Sequence, residues 1–220
     1  MNFLFFQKKI VKSYLRTAEL LGEEFTQYRP SSPFDPLTQI YCEAVTCFLD
    51  SRVSMSCNSA PQRNNPVRFF ISENSDIVEG DFFRSNVNKN NLIFISFLEK
   101  IRPSIAILTN GYISIFETAK PEKNLSFGLN DPQGQVFTSD SIIASDWPVS
   151  ILDSAGSKTV DDVLVTSLGQ VGKVVLMPYP PGAEIKIGQR VRDHQGSNYH
   201  IRSVECTEFG LCLHIVMDQL

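Results

Sequence analysis

The most constraining feature of this sequence is a succession of short apolar runs from residue 67 onward. They are rich in Ile, Phe, Val and Tyr, and clusters of Asn, Gly and Pro separate them. Such runs predict β-strands, and several short strands at regular spacing favour a small barrel or sandwich. The start of the chain has a helical period instead. The sequence therefore predicts a mainly β (α+β) fold, with an N-terminal helix followed by two small antiparallel β-barrel or sandwich modules.

The predicted helix lies in the first block, residues 1–66. In QKKIVKSYLRTAELLGEEF the apolar residues recur every three or four positions, which gives the helix one apolar face, and Gly22 stands where it can end. The opening residues, 1–9, are predicted to form an arm that docks on a neighbour, or the start of a packed helix or strand. The apolar face consists of Ile10, Val11, Tyr14, Leu15, Ala18 and Leu21, and the arm presents Phe3, Leu4, Phe5 and Phe6.

A Pro-rich segment, residues 29–37, follows the helix. Its three prolines forbid a helix and favour an extended, turning path, so it is a second candidate for docking on a neighbour. Residues 38–56 are compatible with a helix or with two strands, and both interpretations stay open. Residues 57–67 are rich in turn residues and are predicted to be an exposed loop.

The second block, residues 67–120, is predicted to be an antiparallel β module. Its clearest local signal is Asn110-Gly111, since both residue types tolerate the positive φ of a type I′ turn. The pattern predicts a hairpin between Ile105–Leu108 and Tyr112–Phe116, and a turn at Gly80-Asp81. The polar residues 121–146 are predicted to be a linker or long loop between modules.

The last block, residues 147–220, is predicted to be a small β-barrel. Trp147 is the only tryptophan, and we interpret it as a packing anchor at the edge of this module. Gly196 marks the turn RDHQGSN between two predicted strands.

Charge and hydropathy exclude some classes of function. The formal net charge of −4 argues against general binding to DNA phosphates, which requires a clustered basic surface. The apolar start, MNFLFF, is followed at once by QKK and is far shorter than the ~20 residues of a membrane span. We therefore expect no contact with a membrane and a cytoplasmic location where the chain is made.

The cysteines and histidines near the end of the chain allow two interpretations. Five cysteines, an odd number, form no disulfide framework, and none has the CxxC spacing of a structural zinc site. A metal cluster would use His200, Cys206, Cys212 and His214. The alternative, which we favour, is reduced thiols, so we expect no metal and no cofactor.

No catalytic set emerges from the motifs. The sequence has no G-x-S-x-G, H-E-x-x-H, P-loop or G-x-G-x-x-G. Asp193-His194 lies in a predicted turn, where both residue types are common for local hydrogen bonding, and is expected to be solvated. Asp161-Asp162 is interpreted as a solvated acidic pair. We expect that the chain is not an enzyme. Three lysines, Lys8, Lys9 and Lys12, are interpreted as the solvent-exposed face of the helix, with a contact to DNA phosphate or an acidic partner as the alternative.

The order of these motifs resembles a family of structural proteins from tailed bacteriophages, prophages and phage-derived gene transfer particles. The resemblance covers nearly the whole chain: GEEFTQYRPSSPFDPL after the helix, EGDFF and NLIFISFLEKIRPSIAILTNGYISIF in the middle, and WPVSIL and VLMPYPPGAEIKIGQRVRDHQGSNYHIRSVECTEFGLCL at the end. The ending G-x-x-V-x-D-x-x-G-x-x-Y-x-I-x-S-x-E is similar to the small barrels of head–tail stopper and completion proteins. It is carried by Gly188, Val191, Asp193, Gly196, Tyr199, Ile201, Ser203 and Glu205. This chain has NVNKNNLIFI where the family usually has a Gly-Thr-Phe/Tyr turn before FI.

The resemblance implies assembly rather than catalysis. It implies a homo-oligomeric ring of six or twelve copies at the head–tail junction, with portal or adaptor proteins and tail proteins as neighbours and DNA passing through the lumen. The protein would then end in a virion-like particle. Two alternatives stay open. One is a tail-tip or baseplate component, for which a carbohydrate-binding module predicts exposed Tyr112, Phe116 or Trp147; the other is an enzyme acting on cell wall or nucleic acid.

Overall fold

Two closed six-stranded antiparallel barrels follow one N-terminal helix, which confirms the predicted fold class. The computed structural model describes residues 3–50, 67–71, 76–98, 102–117, 141–153 and 172–218, and for 3–8 and 153 the backbone alone. The elements are α1 (Phe3–Leu21), β1 (Glu23–Tyr28), β2 (Ile40–Asp50), β3 (Val67–Ile71), β4 (Phe82–Ser85), β5 (Leu92–Phe97), β6 (Ser104–Leu108), β7 (Gly111–Glu117), β8 (Ser141–Asp153), β9 (Gly172–Met177), β10 (Arg190–Asp193), β11 (Asn198–Thr207) and β12 (Gly210–Met217).

Helix α1 lies on the outer wall of the first barrel, against β2 and β3. Its buried side is narrower than the predicted face: Ala18 is fully buried and Tyr14 packs edge-on against Phe70, with ring centroids 5.5 Å apart. Ile10 and Leu21, by contrast, are exposed. The helix ends at Leu21, where the N–H of Gly22 donates to the carbonyl of Ala18. None of the described helices is both long and apolar enough to cross a membrane.

The two barrels have the same topology. The first closes in the order β1-β2-β3-β6-β5-β4 and the second in the order β7-β8-β9-β12-β11-β10, which is the same order displaced by six strands. Registers agree as well: Phe25 of β1 pairs with Ser85 of β4, and Ile113 of β7 pairs with Asp193 of β10. The fold is therefore a tandem structural repeat, which the sequence motifs do not predict.

The repeat extends to a glycine turn before the short fourth strand of each barrel. Gly80 and Gly188 both have positive φ, 92° and 88°, a conformation that favours glycine. Gly80 N donates to the carbonyl of Ile95, whose own N–H donates to Asp81; Gly188 makes the same pair of bonds with Ile201 and Gln189. Each barrel then has a bulge directly after that isoleucine. The predicted turn at Gly80-Asp81 is present.

Asn110-Gly111 is not a hairpin turn, contrary to the prediction. Strand β6 pairs with β3 and β5, and β7 pairs with β8 and β10, so neither strand has an edge left for the other. Neither residue has positive φ. Instead, these residues carry the chain from one barrel into the next: Thr109 N donates to Leu92 in the first barrel, and Asn110 N donates to Val149 in the second.

The predicted module boundaries also differ from the barrels. Strands β1 and β2, assigned to the 1–66 block, belong to the first barrel, and β7, assigned to the 67–120 module, belongs to the second. Of the predicted 121–146 linker, residues 141–146 are the start of β8, and 118–140 lie outside the described residues. Within 38–56, residues 40–50 form strand β2. The reason is long-range pairing, which local composition does not encode.

The two barrels share a buried core at their junction. Residues from the end of the first barrel, including Phe82, Phe94 and Ile107, belong to the same apolar cluster as the interior of the second barrel. The rest of the first barrel is filled by a separate cluster around Phe25, Phe69 and Phe83. The shared cluster ties the position of one barrel to the other.

Candidate functional site

The junction between the barrels is centred on Trp147. Its side chain is fully buried and its ring centroid lies 5.9 Å from that of Phe82 in the first barrel. The indole N–H donates to the carbonyl of Pro33 at 2.6 Å, and the same carbonyl accepts the N–H of Ser145 at 3.2 Å. The Pro-rich segment 29–37, predicted as a docking arm for a neighbour, is therefore bound through Pro33 to the second barrel of its own chain. Because Trp147 is buried, it cannot serve as an exposed carbohydrate platform.

An open groove runs beside this junction. It has a volume of about 290 Å³ and is formed by β5 and the glycine turn of the first barrel together with the ends of β9 and β11 of the second. Tyr179 and Phe97 are 54% and 38% exposed there, and Glu79 and Glu208 add carboxylates. Exposed rings beside carboxylates suit a cationic or amphipathic side chain of another protein.

A buried carboxylate fixes the first-barrel wall of this groove. Asp81 is fully buried and accepts bonds from Gln27 Nε2 at 2.7 Å and from Arg29 Nε and a terminal Arg29 nitrogen at 2.9 Å each. The side-chain bond to Asp81 is the main reason that the pKa of Arg29 is raised, and the bond to the exposed Asp76 adds to it. The backbone N–H of Val78 also donates to Asp81, which holds the glycine turn in place.

Asp193, at the end of β10 in the second barrel, is a second buried carboxylate; the prediction that it is solvated is wrong. Its side chain is 2% exposed and accepts the N–H groups of Gln195 and Ser197 at 3.0 and 2.9 Å. The Tyr199 hydroxyl donates at 3.2 Å, and Lys173 Nζ lies 3.6 Å away. Burial acts to raise the pKa of Asp193, but the two backbone bonds, the Tyr199 hydroxyl and the Lys173 charge outweigh it, so the pKa is lowered. The carboxylate organises the turn from inside.

The other turn residues predicted to matter occupy distinct places. Gly196 has a φ of 83° and its N–H donates to the carbonyl of Asp193, which closes the RDHQGSN turn. His194 N donates to the carbonyl of Tyr112, and its ring lies near Gly111. The Asn110 side chain makes two bonds with the backbone of Ile151, at 2.8 and 2.7 Å. Asn110 and Gly111 therefore belong to the segment that connects the first barrel to the second.

The four residues weighed as a metal cluster do not converge. His200 Nδ1 pairs with Asp218 at 3.0 Å, and Cys206 is exposed beside Tyr179. Only Cys212 and His214 lie together, with 3.9 Å between Sγ and Nε2. Burial, and then the charge of Glu205, raises the pKa of the Cys212 thiol to about 11.

Several predicted residues lie partly or wholly outside the described structure. The backbone of Phe3, Leu4, Phe5 and Phe6 is the first turn of α1, so this segment is helical, and their side chains are outside the description, as is that of Lys8. Lys9 and Lys12 are exposed on α1. Asp161-Asp162 and Cys57 lie outside the described residues.

The comparisons with known proteins give no relative: no family model, no curated protein and no solved structure matches this chain.

Proposed function

We propose that this chain is a structural subunit of a tailed-phage-like particle, assembling as a ring at the head–tail junction and joining tail to head. The observation that carries the proposal is the union of two closed barrels through a shared core, with a helix placed outside the first barrel. A ring subunit needs a rigid body and appendages that bind the next subunit. The order of sequence motifs that resembles head–tail stopper and completion proteins supports the same role.

Closed barrels favour association through faces, grooves and appended elements. In a closed barrel every strand has partners on both sides, so none of the twelve described strands offers a sheet edge to another chain. Helix α1 offers such an appended surface: Leu20 and Leu21 are 76% and 64% exposed at its C-terminal end. Two adjacent exposed leucines on a helix suit burial against a neighbouring subunit.

The groove between β5 and the ends of β9 and β11 offers a complementary surface on the same subunit. Its exposed rings and carboxylates differ from the apolar and basic character of α1, which carries Lys9 and Lys12. Contact between unlike surfaces of identical subunits is heterologous and closes into rings when the rotation is correct. The net charge of −4 is compatible with a lumen through which DNA slides without sticking.

Loss of the protein from particle-producing cells tests the role directly. We expect deletion of its gene to give filled or partly filled heads and free tails that do not connect, seen by negative-stain electron microscopy. Heads and tails that stay joined, with the protein found at the tail tip of the normal particle, would reject the junction role in favour of a baseplate role. If heads and tails stay joined in the deletion strain and the normal particle does not contain the protein, both the junction role and the baseplate role are rejected.

A matched pair of surface variants tests the helix contact. Leu20→Glu places a charge on the exposed end of α1, whereas Val87→Glu does so on a loop of the first barrel that is equally exposed, at 77% against 76%. Both variants should fold, as judged by circular dichroism and melting temperature. Only Leu20→Glu should fail to restore joined particles in the deletion strain; equal restoration by both would remove α1 from the interface.

A further inference from the structure

Three side chains of different chemistry meet on the outer face of the second barrel. Cys212 and His214 lie two positions apart on β12, and Glu205 stands opposite Cys212 on β11. His214 Nε2 is 3.9 Å from Cys212 Sγ and 3.5 Å from Glu205 Oε1, and the three donor atoms all lie within 4.8 Å of one another. The side chain of Glu205 is 60% exposed and that of His214 29%, so the cluster is open to solvent.

A β-bulge creates this meeting. Tyr199 and Ile201 of β11 point into the barrel, and continued alternation would turn residue 205 inward as well. The register shift between Ile201 and Ser203 reverses the alternation, so that Val204 packs on the core and Glu205 faces outward beside Cys212. Bulges of this kind re-aim side chains at functional positions.

The repeat provides an internal comparison. The first barrel has the same bulge, between Ile95 and Phe97, and the position equivalent to His214 is held by Ile105. The imidazole of His214 is therefore specific to the second barrel, since the first barrel forms its bulge with an isoleucine at that position.

We propose that Glu205, Cys212 and His214 bind a divalent transition-metal ion, with Zn²⁺ preferred to Mg²⁺ or Ca²⁺. Thiolate and imidazole ligands select Zn²⁺ and its neighbours, whereas Mg²⁺ and Ca²⁺ require oxygen ligands. Ordinary zinc–ligand distances place the donor atoms of a tetrahedral site about 3.3–3.6 Å apart. The His214–Glu205 and His214–Cys212 separations, 3.5 and 3.9 Å, require only a small inward movement of side chains, and the separation between Cys212 and Glu205 lies within 4.8 Å. Three protein ligands leave a fourth position for water or for a group from another molecule.

The same geometry also suits a simple ion pair between His214 and Glu205, with Cys212 a bystander. The two interpretations differ in the role of sulfur. A metal ion would bond to Sγ and depend on all three side chains, whereas an ion pair would not involve the thiol. The proposal is independent of the head–tail role, because a metal site on the barrel wall requires no particle.

Cobalt spectroscopy of the full-length reduced protein distinguishes a metal site from a simple ion pair. We expect Co²⁺ to bind at one ion per chain, with a sulfur-to-cobalt charge-transfer band in the near ultraviolet and strong visible bands of tetrahedral Co²⁺, both abolished by Zn²⁺. Cys212→Ser should remove the charge-transfer band. Glu205→Gln and His214→Ala should each weaken Zn²⁺ binding, measured by calorimetry, by roughly tenfold or more.

Two variants on the same strands serve as controls. Cys206→Ser and His200→Ala alter residues of the same types that lie outside the cluster, and both should bind Co²⁺ and Zn²⁺ like the parent. A parent spectrum without the sulfur band, or a band that survives Cys212→Ser, would overturn the proposal, as would loss of the band in Cys206→Ser. If His214→Ala does not fold, the exposed Glu205→Gln provides the affinity test, and unchanged affinity there removes the site as described.

Discussion

The indole N–H of Trp147 and the carbonyl of Pro33 form a 2.6 Å hydrogen bond across 114 positions of the chain. This bond ties β8 of the second barrel to the Pro-rich segment that follows β1 in the first. Trp147→Phe removes the donor, leaves the carbonyl of the half-buried Pro33 with one partner fewer and deletes part of a fully buried ring. We expect the free energy of unfolding to fall by about 1–3 kcal/mol. Urea denaturation followed by circular dichroism measures this free energy, with Tyr179→Phe as an exposed aromatic control. Equal stability of the two variants would show that the Trp147–Pro33 contact contributes little.

Asp81 and Asp76 both pair with Arg29, but only Asp81 is buried. Asp81→Ala leaves the guanidinium and the Gln27 amide without their shared acceptor, and we expect a loss of about 2–4 kcal/mol in the free energy of unfolding. Asp76→Ala removes a solvated carboxylate and should change stability little. The comparison of the two denaturation midpoints is the measurement, and a larger effect at Asp76 would contradict the assignment.

The lowered pKa of Asp193 predicts a specific pH dependence. A carboxyl group whose folded-state pKa lies below its unfolded value of about 3.9 contributes stability that is fully present above that pH. This contribution is lost as the pH falls through the folded-state pKa. Asp193→Asn should therefore cost about 1–3 kcal/mol at pH 7, and the difference from the parent should shrink below pH 4. Tyr199→Phe removes one of the bonds to this carboxylate and should show a smaller effect with the same pH trend.

Gly210 and Gly188 separate two reasons for requiring glycine. Both have positive φ, 103° and 88°, but a Cβ at Gly210 would lie 2.6 Å from the carbonyl oxygen of Met177, whereas nothing lies within 4 Å at Gly188. Gly188→Ala should cost about 1 kcal/mol through backbone strain alone. Gly210→Ala should cost clearly more, because the backbone of β9 must move. Thermal melts of the two variants test this, and identical melting temperatures would contradict the close approach.

Cleavage between β7 and β8 tests the assignment of β7. A protease site inserted between residues 129 and 130 would leave β7 on the N-terminal fragment and its partners β8 and β10 on the C-terminal fragment. Because β7 completes the second barrel, the two fragments should co-elute in native gel filtration and separate only in denaturant. Fragments that separate under native conditions would restore the earlier boundary, in which residues 67–120 form an independent module.

Sequence patterns predicted where helices and strands lie better than they predicted which strands pair. The helical period and Gly22 predicted the helix and its end, because both depend on neighbouring residues. The Asn110-Gly111 signal failed because β6 and β7 each have two other partners in the folded chain: β6 pairs with β3 and β5, and β7 pairs with β8 and β10. Local chemistry there permitted a hairpin, and tertiary pairing overrode it.

The repeat escaped detection because its equivalent positions conserve geometry more than residue type. A buried carboxylate at Asp81 corresponds to a buried amide at Gln189, and Ser85 corresponds to Asp193. Gly80 and Gly188, each preceding a short strand, were the available signal. Glu205 was likewise missed as a partner of Cys212 and His214, since a bulge that reverses strand alternation has no local sequence mark.

The strand order has a consequence for synthesis. The described strands of the first barrel lie between residues 23 and 108, so that barrel can close on the ribosome before the later strands of the second barrel emerge. Strand β7 emerges next, but its partner β10 begins only at Arg190, so β7 remains incompletely paired while much of the remaining chain is translated. The segment around Pro33 must likewise wait for Trp147. The nascent chain thus completes its first half early and fastens the two halves together late.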